Sequence, residues 1–183
     1  RFRFEELNGY LNDRTARQHL ALLERQGFVV DLLIEASHAD DVVALASDFP
    51  RLKIVINHCF RAKIIDGDIS DELKQAIQKC AAHPNVFCKM SSINNFSEVE
   101  AFTEPAPTTL EYYLPILNPV YSAFGSDRII FATNWGVSAH FGSVDNVKDI
   151  VLAYLMPKGR RVVDKVMFRN AVAFYNIRRK NLR

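Results

Sequence analysis

This 183-residue chain should form an α/β domain built on a parallel sheet. Apolar runs of strand length recur near residues 28–34, 53–58, 85–90 and 128–133. Helical stretches of about 10–15 residues separate them, which is the pattern of βαβ units. The chain is also long enough to bury a full hydrophobic core, roughly 70% of its unfolded surface. About five strands and at least six helical pieces are expected, in a single domain over residues 1–183.

Residues 1–5 read as a short first strand. Asn12 or Asp13 can cap a helix running through Gln26, with Gly27 just past its end. After the strand at 28–34, Ser37 can cap the helix carrying Val42, Val43, Leu45, Ala46 and Phe49, which Pro50 stops. Ser70 caps the next helix to Ala82, with Leu73, Ile77 and Cys80 on one face. Residues 107–124 look helical, with Pro115 and Pro119 expected to kink or split them. Gly125 ends that segment, and two helices close the chain near 144–156 and 161–175. Residues 91–107, with Asn94, Asn95, Pro105 and Pro107, form the longest irregular connection: an active-site loop or a surface one.

Composition narrows the function classes. The chain is 49% hydrophobic and 24% charged, which argues against long disorder and against a disulfide-stapled miniprotein. A net charge of +2 carries no basic excess, so no nucleic-acid partner is expected. Only the tail from Arg178 to Arg183 is strongly basic, and a solvated end explains it. No apolar run is long enough to span a bilayer, so no membrane partner is expected either. The three cysteines form no C-x-x-C pair and fit a reducing, cytoplasmic setting as buried small hydrophobes. The start at Arg1, without Met or signal peptide, reads as a fragment opening in a strand.

With seven glycines and no G-x-G-x-x-G or G-x-x-x-x-G-K, a nucleotide-binding open sheet is disfavoured. In a βα barrel the chemistry sits at the C-terminal ends of strands. His58 ends the third strand, in phase with Ile54 and Ile56, and should face the barrel mouth. It can serve as acid or base, metal ligand or oxygen binder, or be a structural histidine. Arg61 follows in the same loop, where its fork suits a carboxylate. Lys89 and Ser91 end the fourth strand. Asn134 ends the fifth, before the Trp135–Gly136 turn, and His140 lies in the loop beyond it.

Three stretches then carry a resemblance: Ile54-Val55-Ile56-Asn57-His58-Cys59, Asn85-Val86-Phe87-Cys88-Lys89-Met90-Ser91, and Phe124-Gly125-Ser126-Asp127-Arg128 leading to Thr133-Asn134-Trp135. The chain closes on Asn170-Ala171-Val172-Ala173-Phe174-Tyr175. In that order they resemble the amidohydrolase-related (amidohydrolase 2) family, in particular its branch that opens sugar lactones and pyrone dicarboxylate lactones. Arg1-Phe2-Arg3-Phe4 resembles a strand of the same family. The resemblance implies a (β/α)8 TIM-barrel-like fold. Since such barrels need about 250 residues, it implies an N-terminally incomplete barrel with about five parallel strands.

The resemblance also implies roles. His58 and Asn134 take the catalytic positions. Arg61, Lys89 and Ser91 take substrate-binding ones; His140, by its loop position, and Arg3, in the ligand-binding alternative, are further substrate-binding candidates. The reaction it implies is water attack on a lactone or ester carbonyl of a small acidic or sugar-derived substrate. Asn134 stands where the family has an Asp, so the general base is lost and activity should be impaired. His58 is the one candidate metal ligand. A divalent zinc or manganese is expected only if an upstream segment supplies the family's His-x-His pair, which this chain lacks. The rivals are a non-catalytic binding protein holding its ligand through His58, Arg61 and Arg3, and a metal-dependent decarboxylase of the same superfamily. A small molecule is the expected partner, and a barrel fragment with open strand edges invites a homo-oligomer.

Overall fold

A computed structural model describes residues 2–177, with side chains from Leu7 onward. Five strands, β1 (Phe2–Arg3), β2 (Val29–Leu33), β3 (Lys53–Ile56), β4 (Val86–Met90) and β5 (Ile129–Phe131), form one sheet in the order β1-β2-β3-β4-β5. Every pairing is parallel, with Val30 opposite Ile54 and Ile54 opposite Val86. Strands that neighbour in sequence also neighbour in space, with no reversal of order. That is the layout of a barrel wall rather than of a doubly wound sheet.

The two faces of the sheet differ. Val30, Leu32, Ile54, Ile56, Val86, Cys88, Met90 and Ile129 belong to the main core, with residues from the helices that cover this face, including four of the long ones. Those four are α3 (Ala39–Asp48), α4 (Asp71–Ala81), α5 (Leu110–Phe124) and α6 (Val144–Leu155). The other face carries a small cluster of Val55, Ile130 and Phe174, flanked by Val29, Phe87 and Tyr175. One helix-covered face and one inward face are what a strand in a barrel wall needs.

Several local expectations need correction. The first strand spans only Phe2–Arg3, and a helix that the residue pattern did not predict comes directly after it, α1 (Phe4–Asn12). Asp13 does cap the next helix, α2 (Arg14–Arg25): its carboxylate accepts from Ala16 N at 2.6 Å. Ser37 caps nothing. It sits inside a 3-10 turn, Ala36–His38, with its hydroxyl on His38, and α3 starts at Ala39 without a side-chain cap. Ser70 does cap α4, accepting from Leu73 N.

Pro115 and Pro119 neither split nor stop α5, which runs unbroken over its 15 residues. A helix-interior proline costs about 3 kcal/mol. Tyr113, Ile116, Leu117, Val120 and Phe124 lie buried along one stripe of this helix. Each such side chain contributes roughly 1.5–3 kcal/mol, enough to outweigh both prolines. The last helical segment is three pieces: α7 (Arg160–Asp164), a π-helical turn at Lys165–Arg169 and α8 (Asn170–Phe174).

All three cysteines are buried and free, as expected. Among the described residues no helix is long and apolar enough to cross a membrane. The basic tail after Ile177 lies outside the described residues.

Candidate active site

β3 ends at Ile56, and the turn beyond it is unusual. His58, Cys59, Phe60 and Arg61 all have positive φ, at 55°, 45°, 62° and 54°. This is one left-handed turn made of four non-glycine residues, at about 1–2 kcal/mol each. Buried contacts hold it. Cys59 and Phe60 are 0% and 2% exposed, and the Cys59 thiol donates to Lys89 O at 3.3 Å. Lys63, just beyond, donates to Asn95 O at 2.8 Å and Ser97 O at 3.1 Å. Burial, then the nearby Arg61 charge, lowers the Lys63 pKa.

The turn explains where His58 points. Ile54 and Ile56 face the helices, so strand phase would send His58 into that layer. Strand phase therefore misplaces this side chain. The left-handed backbone instead carries the ring across to β4, where Nδ1 lies 2.7 Å from Ser91 Oγ. Ser91 is fully buried, with its hydroxyl on His58.

The next residue does the same for Asn134. Ser92 turns the chain with φ 59°, and Asn134 Nδ2 donates to Ser92 Oγ at 3.1 Å. Asn134 is also left-handed, at φ 52° and ψ 41°, a conformation that Asn tolerates well. Consecutive serines thus brace His58 from one side and Asn134 from the other. Sequence reasoning misses Ser92, since nothing but its place beside Ser91 marks it.

Other expected site residues go elsewhere. Lys89 reaches down the inward face of the sheet to Asp31, 2.5 Å away, and is not brought to the His58–Asn134 pair. Tyr175 donates to the same carboxylate at 2.9 Å. Burial, followed by the Asp31 charge, pushes the Tyr175 hydroxyl far above its ordinary range. This trio ties the C-terminal segment to the sheet.

Arg61 pairs with Glu35 at 3.2 Å, both side chains about half exposed. It lines a cleft of about 480 Å3 together with Glu35, Ser37, Lys63, Asp68 and Glu72. His58 and Asn134 are not among that cleft's walls. Arg61 and His58 leave the same left-handed turn. His140 stacks on Phe102, with ring centroids 4.1 Å apart. The Arg3 side chain lies outside the described residues.

The two loops beyond β4 and β5 are zipped together. Phe102 N donates to His140 O and Ala106 N to Phe141 O, at 3.0 and 2.8 Å. Residues 91–107 are therefore ordered against residues 138–141, with a 3-10 turn at Ile93–Phe96.

Residues 1–177 match the Amidohydro_2 family, described as amidohydrolase. The chain belongs to that family. It is 36% identical over 115 residues to an L-fucono-1,5-lactonase of Burkholderia ambifaria, covering 61% of this chain and 37% of that protein. It is 29% identical over 131 residues to an L-rhamnono-gamma-lactonase of Scheffersomyces stipitis, covering 64% of this chain and 38% of that one. A crystal structure of an amidohydrolase from Burkholderia multivorans with bound zinc superposes with a TM-score of 0.82 at 20% identity, covering 92% of this chain and 60% of that one. The fold is thus that of TIM-barrel amidohydrolases, and the chain spans well under two thirds of the length of each of these relatives.

The zinc of that amidohydrolase invites a fit test. Among the described residues no three His, Cys, Asp or Glu side chains come together. His58 has its Nδ1 engaged by Ser91. The described residues do not by themselves make a metal site.

Proposed function

We propose that this chain carries part of the active site of a lactone hydrolase acting on a sugar-derived or carboxylate-bearing lactone. The observation that supports this most is the pair of braces: His58 on Ser91 and Asn134 on Ser92, at the C-terminal ends of strands in one parallel sheet. A barrel enzyme places its chemistry at that end. The lactonase relatives support the substrate class.

With Nδ1 held by Ser91, Nε2 is the ring nitrogen assigned to the chemistry. Nε2 takes a proton from a water as the water oxygen bonds to the lactone carbonyl carbon. The tetrahedral oxyanion then collapses and the ring C–O bond breaks. The imidazolium returns its proton to the leaving ring oxygen, giving the open hydroxy acid. Asn134 donates through Nδ2 to Ser92, which leaves Oδ1 to accept from the attacking water and aim it. An amide cannot take the proton, so the rate falls below that of a carboxylate at this position by about 10²–10⁴-fold. Arg61 can exchange its exposed Glu35 partner for a substrate carboxylate, since such surface pairs contribute only about 0–1 kcal/mol.

The test is turnover by the full-length protein of L-fucono-1,5-lactone and L-rhamnono-gamma-lactone, followed by proton release. His58→Ala should lower kcat by at least about 10²-fold. An unchanged kcat would overturn this assignment. Binding that stabilises the protein without turnover would favour the ligand-binding reading, to which the amide at position 134 already lends weight.

A further inference from the structure

Asn94 is 2% exposed, and its Oδ1 is a buried acceptor with no partner in the structure. A buried polar atom left unsatisfied costs about 1–3 kcal/mol. Its other side-chain atom is committed: Nδ2 donates to Ser138 O at 2.8 Å. That bond closes a ring. Ser138 N donates to Asn134 O at 3.0 Å, and Asn134 Nδ2 donates to Ser92 Oγ at 3.1 Å. Ser92 is two residues from Asn94, and Asn95 N returns to Ser92 O at 2.9 Å. The ring joins the loop after β4 to the loop after β5, the two loops that hold Ser91, Ser92 and Asn134.

Asn94 Nδ2 also lies close to Gly142, as Asn146 Nδ2 does. Gly142 has φ 148°, and a Cβ placed there would meet Asn146 Nδ2 at 3.6 Å and Asn94 Nδ2 at 3.9 Å. Two carboxamides therefore flank a residue without a side chain.

We infer that Asn94 is a positioning residue of the candidate site. Its Nδ2 clamps the β5 loop so that Asn134 stays on Ser92. This rests on the lactonase reading only for its effect on rate. The clamp itself is a statement about geometry.

Asn94→Asp keeps the shape and the acceptor and removes the donor to Ser138. Asn85→Ala serves as the comparison, because Asn85 is a structural amide whose Nδ2 donates to Ala46, Phe49 and Leu52 carbonyls at 3.1–3.2 Å. In full-length protein, hydrogen exchange of the Asn134 side-chain amide should speed up about 10-fold or more in Asn94→Asp and stay unchanged in Asn85→Ala. Lactone turnover should show kcat down about 10-fold for Asn94→Asp, with KM within about 3-fold. A positioning defect of this kind acts on the chemical step. Asn85→Ala should lower Tm with kcat unchanged. Unchanged Asn134 exchange in a folded Asn94→Asp protein overturns the clamp, whether or not the enzyme turns over lactone. If Asn94→Asp does not fold, Asn94→Gln takes its place, with the same readout and the same overturning result. Wild-type protein that turns over no lactone overturns the lactonase reading and leaves the exchange result standing.

Discussion

The Oγ of Ser91 lies 2.7 Å from Nδ1 of His58, across two adjacent strands. The contact exists because residues 58–61 turn left-handed and lift the imidazole out of strand phase. A buried hydroxyl on one ring nitrogen fixes ring orientation and so sets where the other nitrogen faces. Ser91→Ala should keep the fold, at a cost of about 1 kcal/mol for the lost bond. It should lower kcat roughly 10-fold or more through misorientation. Steady-state kinetics beside a thermal melt separates the two. A rate equal to wild type would show that the ring is held by the turn alone.

Phe60 tests the turn itself. A glycine adopts its φ of 62° without strain, which would recover about 1 kcal/mol. The same change removes a buried aromatic side chain, at about 3–5 kcal/mol. Packing should win, so Phe60→Gly should destabilise the protein by roughly 2–4 kcal/mol on these two figures. A denaturant midpoint at or above that of wild type would mean that left-handed strain outweighs the packing of Phe60.

Alkaline pH should weaken the fold. Burial pushes the Cys80 thiol from 9.0 up to about 12, and burial, then Tyr121, pushes Tyr154 to about 12. Both groups are neutral when protonated, and both hold the proton more tightly folded than unfolded. Their contribution is complete below the unfolded values and is lost as pH rises toward 12. Melting temperature should therefore fall between pH 9 and 12, and Cys80→Ala should flatten part of that fall. A Cys80 that reacts with a thiol reagent at pH 8 in the native protein would contradict its burial.

How much of this was legible in the sequence depends on distance along the chain. The strands and the Asp13 and Ser70 caps follow from patterns within a few residues, and the structure keeps them. The motif that carried the family resemblance has a largely structural meaning. Arg128 donates to the carbonyls of Ala81, His83 and Val86, and Asn170 to those of Ser126 and Ile129. Phe174 packs on Phe87, and Tyr175 reaches Asp31. These residues stitch the wall at the ends of strands away from His58. The destinations of Lys89, Ser91 and Arg61 depend on partners 26 to 58 positions away, as Arg61–Glu35 and Lys89–Asp31 show. Periodicity carries no such information. The mouth-facing placement expected of His58 rests on a left-handed turn rather than on strand phase, since Ile54 and Ile56 face the helices, and such a turn of four non-glycine residues has no local signature.

Asn134 offers the sharpest test. It occupies the strand end where the resembling family has a carboxylate, and its backbone conformation suits Asn and Asp alike. Ser92 is a hydroxyl, so it can donate to an Asp where it now accepts from the Asn. Asn134→Asp should thus preserve the brace, at a stability cost under about 1 kcal/mol, as for a surface-accessible change. The new carboxylate can accept the proton that the amide cannot. Lactone hydrolysis should rise roughly 10²-fold or more, with ligand affinity little changed, because a base acts on the chemical step. The gain should be present at about pH 6–9, above the range where an accessible carboxylate titrates, and should fade in more acidic buffer as the carboxyl protonates. Initial rates of both full-length proteins across about pH 4–9 would show it. Equal rates would mean that position 134 does not face the attacking water. A wild type as fast as ordinary lactonases would mean that His58 suffices as the proton acceptor without a carboxylate at position 134.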